Sequence, residues 1–130
     1  MIRGFFSTKK EGDRGEKVAA DFLEKRGFAV VDRNFRCRGG EIDLIVKRGG
    51  ELHFVEVRSR RSVDVIAPEE SVTLPKRTRL LRTAQNYLAR FPRWKKYETL
   101  FSVVGVTWGG KKPEIEFFPN AFEVEDPFSY

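Results

Sequence analysis

The stretches Gly40-Glu41-Ile42-Asp43-Leu44-Ile45 and Phe54-Val55-Glu56-Val57-Arg58 decide the fold of this chain. Both are rich in the β-branched and aromatic residues that favour strands. Between them, Arg48-Gly49-Gly50-Glu51 supplies the glycine that a tight hairpin turn needs at positive φ. The sequence therefore predicts a β-hairpin with strands over Glu41–Lys47 and Leu52–Arg58.

Each strand of this hairpin carries a carboxylate where a core residue is expected. Asp43 and Glu56 stand among Ile, Leu, Phe and Val. A buried ionised carboxylate needs a cation, a metal ion or several hydrogen bonds, so this placement indicates function. We expect the two carboxylates to lie several residues out of direct opposition, so that they converge only through a bend or twist of the strands.

The segments around the hairpin predict two helices and three further strands. Asp13 is a good N-cap for the first helix, which Gly27 ends, and Pro75 suits the first turn of the second, which ends before Pro92. Helices between strands favour an α/β fold in which a mixed β-sheet is flanked by helices, in the order αβββαββ. The other predicted segments are a mobile basic leader (1–12), a single domain (13–130), strands Phe28–Phe35, Leu100–Thr107 and Ile115–Phe118, and a charged loop Ser59–Leu74.

The composition favours a polyanionic partner and restricts the metal chemistry. The net charge is +6, and the 15 arginines outnumber the 10 lysines, which favours bidentate contacts with phosphate. Because Cys37 and His53 are the only residues of their types, a Cys/His zinc site is excluded and a metal would have oxygen ligands. No stretch approaches the roughly 20 apolar residues of a membrane span, so we expect no membrane contact and a cytoplasmic location.

The carboxylates of the hairpin suit Mg²⁺ or Mn²⁺. Such hard cations bind carboxylate and carbonyl oxygens, here Asp43, Glu56 and the carbonyl of Val57, and assist phosphodiester hydrolysis. Strand alternation puts Arg58 on the same face as Glu56. Glu16 borders the buried face of the first helix and is either a third acid of the site or part of a capping box with Asp13.

Several of these segments together resemble a known family. They are Gly15-Glu16, the run from Asn34 to Ile45 that contains Gly-Glu-Ile-Asp-Leu-Ile, and Phe54-Val55-Glu56-Val57-Arg58-Ser59-Arg60. The chain resembles the YraN-like family, also designated UPF0102, from about Gly15 through Phe122. That family is similar to the restriction-endonuclease-like nucleases, which include archaeal Holliday junction resolvases.

The resemblance implies a site built from a helix Glu, a strand Asp and a Glu-x-Lys on the next strand. Glu16, Asp43, Glu56 and Arg58 match these positions and are the catalytic residues that the resemblance implies. The family pattern has Lys at the position of Arg58 and Asp at the position of Ser102. Arginine binds phosphate but does not exchange a proton near neutral pH as a tuned lysine can.

Basic residues are predicted to form a rim around the carboxylates if the hairpin ends meet the second helix. We expect this rim to contact the nucleic-acid backbone, although a solvated charged face is the alternative. Three functions remain open: a Mg²⁺-dependent DNA endonuclease, for branched DNA among other substrates, a catalytically weak nucleic-acid-binding module, and a protein that docks other partners through its charged surface. Pairing of two copies as a homodimer is also left open. The rim residues are Arg36, Arg38, Arg60, Arg61, Lys76, Arg79 and Arg82.

Overall fold

The computed structural model describes residues 9–61 and 68–123. Their five strands form one sheet in the order β1-β2-β3-β4-β5, with two longer helices. The order along the chain, αβββαββ, and the α/β class predicted from the sequence are confirmed. The elements are α1 (Lys9–Lys25), β1 (Ala29–Cys37), β2 (Gly40–Arg48), β3 (Glu51–Arg60), α2 (Leu74–Arg90), β4 (Glu98–Thr107) and β5 (Glu114–Phe118).

The sheet is mixed because α2 lies between β3 and β4 along the chain. Strands β1, β2 and β3 form an antiparallel meander, whereas β3 and β4 run parallel and β5 is antiparallel to β4. A parallel pair requires a crossover connection, and here that connection contains α2. The carboxyl ends of β3 and β4 therefore lie at the same edge of the sheet, next to the start of β2.

Each face of the sheet is covered by one helix. On one face, Leu80, Ala84 and Tyr87 of α2 pack in a cluster with β-strand residues such as Ile45 and Phe54. On the other face, α1 packs on a second cluster, which its alanines and leucine share with strand valines. Strands buried on both faces explain why β2 and β3 read as nearly continuous apolar runs. The residues of the second cluster are Ala19, Ala20, Leu23, Phe28, Leu44, Val46, Val55, Val104 and Val106.

The first helix begins earlier than predicted. It starts at Lys9, so Asp13 lies inside the helix and is not its N-cap, which excludes the capping box, one of the two roles left open for Glu16. The physical reason is that Lys and Glu at positions 9–11 have good helix propensity, which extends the helix upstream of Gly12. Gly27 does follow the helix, with φ 91°. Residues 1–8 of the predicted leader lie outside the described part of the chain.

The predicted loop Ser59–Leu74 is also shorter than expected. Ser59 and Arg60 extend β3, because both pair with β4 in the parallel ladder. Pro68–Ser71 forms a 3-10 turn, and residues 62–67 lie outside the described ranges. Thr73 caps α2 by accepting a hydrogen bond from the backbone N–H of Lys76. Among the helices of residues 9–61 and 68–123, none is long and apolar enough to span a membrane.

Candidate functional site

The alternation of side chains along β1 and β2 is interrupted where Asn34 and Asp43 lie. The register pairs Arg33 with Leu44 and Phe35 with Ile42, which places Asn34 opposite Asp43. Ile42 and Leu44 should share a face, yet they pack in the clusters on opposite faces of the sheet. Asn34 has a positive φ of 51°, a conformation that Asn tolerates better than most residues. The break allows Asp43 to interact with groups on both faces.

Asp43 and Glu56 lie opposite each other on neighbouring strands. The β2–β3 ladder ends with Leu44 paired to Val55, so the next position on each strand places Asp43 beside Glu56. The expectation that they lie several residues out of opposition is therefore wrong. At this point the backbone N–H of Val57 donates to Oδ2 of Asp43 at 2.8 Å. A side-chain oxygen thus accepts the hydrogen bond where the ladder opens.

Burial and mutual repulsion disfavour full ionisation of the acidic site. Burial raises the pKa of Asp43 well above its usual value, and the Glu56 carboxylate raises it further, while the Val57 N–H acts in the opposite direction. Burial also raises the pKa of Glu16 on α1, whereas a hydrogen bond with Asn34 lowers it. Both acids are influenced electrostatically by Glu56. The three carboxyl groups predicted from the sequence therefore belong to one electrostatic site.

Glu56 is compensated by two cations from different elements. The Lys76 ammonium of α2 lies 3.0 Å from Oε1 of Glu56, and the Arg58 guanidinium lies 3.6 Å from the same oxygen. Arg58 is held in place because its Nε donates to Ser71 at 3.0 Å, and Ser71 in turn donates to the carbonyl of Pro68 at 2.6 Å. Lys76, predicted only as a phosphate contact on the rim, is part of the carboxylate site.

The other predicted rim residues divide into three groups. The β1–β2 turn meets α2, since Asn86 donates to the sulfur of Cys37 at 3.6 Å, and this contact brings the turn and the helix ridge together. Arg60 differs from the expectation: it is buried, and its Nε donates to Thr107 at 3.0 Å. Arg61 is exposed beyond the end of β3. The exposed residues of the turn and the ridge are Arg36, Arg38, Arg79 and Arg82.

Ion pairing reduces the charge of this rim at Arg36 as well as at Lys76. Arg36 Nε binds Glu41 at 2.8 Å, so its guanidinium already has a carboxylate partner. An exposed pair of this kind contributes little to stability and can exchange partners in solution. The exposed residues of the predicted rim thus lie on the β1–β2 turn, on the outer ridge of α2 and, at Arg61, beyond the end of β3.

Sequence reasoning assigned no role to Asn34 and Ser71, although both orient residues of the site. An Asn within a strand pattern is a signal for a left-handed residue and a break in the ladder. Ser71 carried no signal, because its contact depends on how the 3-10 turn packs. His53 is buried, and its two ring nitrogens lie 2.7 Å from the Ser102 hydroxyl and 3.1 Å from the Glu51 carboxylate. Burial lowers its pKa, which favours the neutral ring.

The oxygen ligands needed for a divalent cation are partly assembled. Within residues 9–61 and 68–123, no group of three His, Cys, Asp or Glu side chains is close enough to form a complete protein cage. Mg²⁺ usually keeps several waters and binds one or two carboxylates, so Asp43 and Glu56 with the neighbouring Val57 carbonyl fit its needs. Such a cation would also allow Asp43 to ionise, because it offsets the repulsion from Glu56.

Comparisons with known proteins identify relatives over most of the chain. A family model described as "Uncharacterised protein family UPF0102" matches residues 15–106. A UPF0102 protein of Geobacter metallireducens is 39% identical over 117 residues, which cover 90% of this chain and 95% of the relative. One from Coxiella burnetii is 40% identical over 121 residues, covering 93% and 98%. Another from Dictyoglomus thermophilum is 36% identical over 117 residues, covering 89% and 99%.

Proposed function

The chain belongs to the family described as Uncharacterised protein family UPF0102, and from the residues of its carboxylate site we propose that it is an endonuclease. It would use Mg²⁺ or Mn²⁺ to hydrolyse phosphodiester bonds in DNA, branched DNA among its substrates. The observation that carries the proposal is the buried, directly opposed pair of Asp43 and Glu56 with Lys76 at 3.0 Å from Glu56. A pair of this kind costs stability and needs a cation.

The role of each side chain follows from its position. Asp43, Glu56 and the Val57 carbonyl would hold the cation, which when bound would polarise a phosphate oxygen and favour attack by water. Glu16, whose pKa is raised by burial, could exchange a proton with water at the edge of the site. Arg58, fixed by Ser71, would bind a non-bridging phosphate oxygen through its guanidinium.

Lys76 supports hydrolysis in spite of the arginine at position 58. An ammonium is a compact charge with three N–H donors, whereas a guanidinium is a planar fork that matches phosphate. Lys76 reaches Glu56 from α2, so it places an ammonium in this site beside the Arg58 guanidinium. The two cations would then have different roles: Arg58 binds phosphate, and Lys76 donates hydrogen bonds that orient water or the leaving oxygen.

A second function is favoured by Arg58 itself. Its guanidinium is held by Ser71 at 3.0 Å and is suited to hold phosphate without any proton transfer. A nucleic-acid-binding module that does not cleave would use the same residues. A nucleic-acid substrate would be met in the cytoplasm, where the free thiol of Cys37 is kept reduced. A homodimer would bring two such sites to the two strands of a duplex.

Single-turnover cleavage of branched, flapped and linear DNA, with excess protein, tests the proposal. Wild type should cut at least one substrate with Mg²⁺ or Mn²⁺ and not with EDTA. Asp43→Asn and Lys76→Gln should each lower the rate by about 100-fold, and Lys95→Gln, a matched loss of an exposed lysine, should not change it. If wild type binds DNA and cuts none of these substrates with either metal, the binding module is the function. If it neither binds nor cuts DNA, both proposals are wrong.

A further inference from the structure

A cavity at the end of β3 and β4 lies apart from the carboxylates. Its volume is about 240 Å³, and Arg14, Arg61, Trp108 and Gly109 line it. An adjoining cavity of about 260 Å³ shares Arg61, Trp108 and Gly109 with it. Positive side chains thus come from α1 and from the end of β3, while the aromatic wall comes from the end of β4.

The backbone fixes the walls of this cavity. The N–H of Trp108 donates to the carbonyl of Arg60 at 2.7 Å, which ties the end of β4 to that of β3. Gly109 has φ +133°, and a Cβ there would lie 2.7 Å from the carbonyl oxygen of Arg61. This close approach requires glycine, so Arg61 and Trp108 are presented at a fixed spacing.

The chemistry of the walls suits an anion. The guanidinium carbon of Arg14 lies 4.6 Å from the centre of the Trp108 indole ring. An arginine stacked in this way can still donate hydrogen bonds in the plane of the guanidinium. The indole Nε1 is buried and has no hydrogen-bond partner among the described residues, so it is a donor without an acceptor. Lys112 adds a positive charge to the adjoining cavity, and Glu114 a negative one.

We propose that this cavity binds a phosphate group of the nucleic-acid strand that the carboxylate site cleaves. The inference rests on the proposed function and names a second contact point for its substrate. Arg61 is five residues beyond Glu56 along β3, a distance of about 16 Å. The phosphates of a B-form strand wind around the axis while rising about 3.4 Å per nucleotide, so the distance between them exceeds the rise, and the bound phosphate lies fewer than about five nucleotides from the scissile one. Arg14 and Arg61 donate to its oxygens, beside the Trp108 ring.

Trp108 provides a probe that reports on this cavity alone. The chain has two tryptophans, so Trp94→Phe leaves Trp108 as the only one. In this background and in EDTA, a 12-nucleotide DNA with an internal dye is titrated with protein, and dye anisotropy reports overall binding. Trp108 emission is recorded with unlabelled DNA. The same sequence is used with 5′-phosphate, with 3′-phosphate and with hydroxyl ends.

We expect Trp108 emission to change as DNA binds. Arg14→Gln and Arg61→Gln should each weaken binding about tenfold and reduce the emission change. Lys95→Gln should stay within about twofold of the parent, because Lys95 precedes the opposite end of β4. If DNA with a phosphorylated end binds more tightly than DNA with hydroxyl ends, the cavity binds a terminal phosphate. If the three DNAs bind equally, the cavity binds an internal phosphate. Thermal unfolding checks that each variant is folded. Lys112→Gln removes an exposed charge from the lining of the adjoining cavity, and it replaces any variant that does not fold.

Two outcomes overturn the inference and leave the proposed function standing. In the first, anisotropy shows binding while Trp108 emission is unchanged. In the second, Lys95→Gln weakens binding as much as Arg14→Gln and Arg61→Gln do, which would indicate non-specific attraction. If anisotropy detects no binding at low salt, the nucleic-acid partner and this cavity's role are both wrong.

Discussion

Replacing Asp43 by asparagine should stabilise the protein at neutral pH while removing its metal-dependent behaviour. Opposed residues on antiparallel strands have Cβ atoms about 5 Å apart. Two ionised carboxylates at that separation repel by about 3 kcal/mol at an effective dielectric constant of 20. Lys76 and Arg58 offset part of this repulsion at Glu56. We therefore expect Asp43→Asn to raise the free energy of unfolding by about 2 kcal/mol near pH 7.5, or Tm by about 8 °C.

The pH dependence has a defined sign. Burial and Glu56 raise the folded-state pKa of Asp43 above its unfolded value, which is about 3.9. Between these two pKa values the folded protein holds a proton that the unfolded chain has lost, so stability falls as the pH rises through this window. The variant lacks this titration. The free energy of unfolding of the variant should therefore fall less over the same pH range. A smaller decrease of the same sign should remain, because the pKa of Glu16 is also raised.

Urea unfolding followed by circular dichroism from pH 4 to 8 measures both effects. Asp21→Asn, the same substitution at an exposed position of α1, is the matched control and should change the free energy of unfolding by less than about 0.5 kcal/mol. With 10 mM Mg²⁺ and a millimolar Kd, wild type should gain about 1.4 kcal/mol and Asp43→Asn almost nothing. If Asp43→Asn destabilises the protein at pH 7.5, or keeps the full gain with Mg²⁺, the reasoning about this carboxylate pair is refuted.

Three further predictions concern two packed residues near the site and the salt dependence of DNA binding. Ser102→Ala removes the partner of His53 and of the Asn120 N–H and should cost about 1–3 kcal/mol in urea unfolding, whereas a loss below about 0.5 kcal/mol would mean that water replaces the hydroxyl. Gly40→Ala should lose about 1–3 kcal/mol, because the new Cβ meets Oγ1 of Thr83, and Thr83→Ala should restore most of it; a lack of rescue would point to backbone strain. DNA affinity should fall about 10³-fold between 50 and 200 mM salt if about six phosphates are contacted, and a flat salt dependence would contradict backbone binding.

The sequence alone was sufficient to predict the fold and to select most of the residues of the candidate acidic site. The turn glycines and the apolar runs defined the hairpin, and the order αβββαββ followed from local patterns because each element carries its own periodicity. The pairing of Asp43 opposite Glu56 could also have been predicted from the sequence. A turn centred between Gly49 and Gly50 pairs Arg48 with Glu51, and counting outward from that pair reaches Asp43 and Glu56.

Other features depend on tertiary packing. Lys76 is 20 residues from Glu56 along the chain, and its contact requires the N-terminus of α2 to lie over the end of β3. The change of face at Asn34 and Asp43 requires two strands to break their alternation together. The cavity at Trp108 combines a helix residue with the ends of two strands. Each of these contacts is set by the assembled sheet and not by neighbouring sequence.

Anomalous diffraction from crystals soaked in Mn²⁺ tests the central claim most directly. The account predicts one strong peak within about 2.4 Å of carboxylate oxygens of both Asp43 and Glu56 and near the Val57 carbonyl, with Lys76 moved away from Glu56. Crystals of Asp43→Asn should lack this peak. A wild-type crystal at millimolar Mn²⁺ with no peak at these oxygens, and with Lys76 still bound to Glu56, would contradict the claim that this carboxylate pair is a metal site.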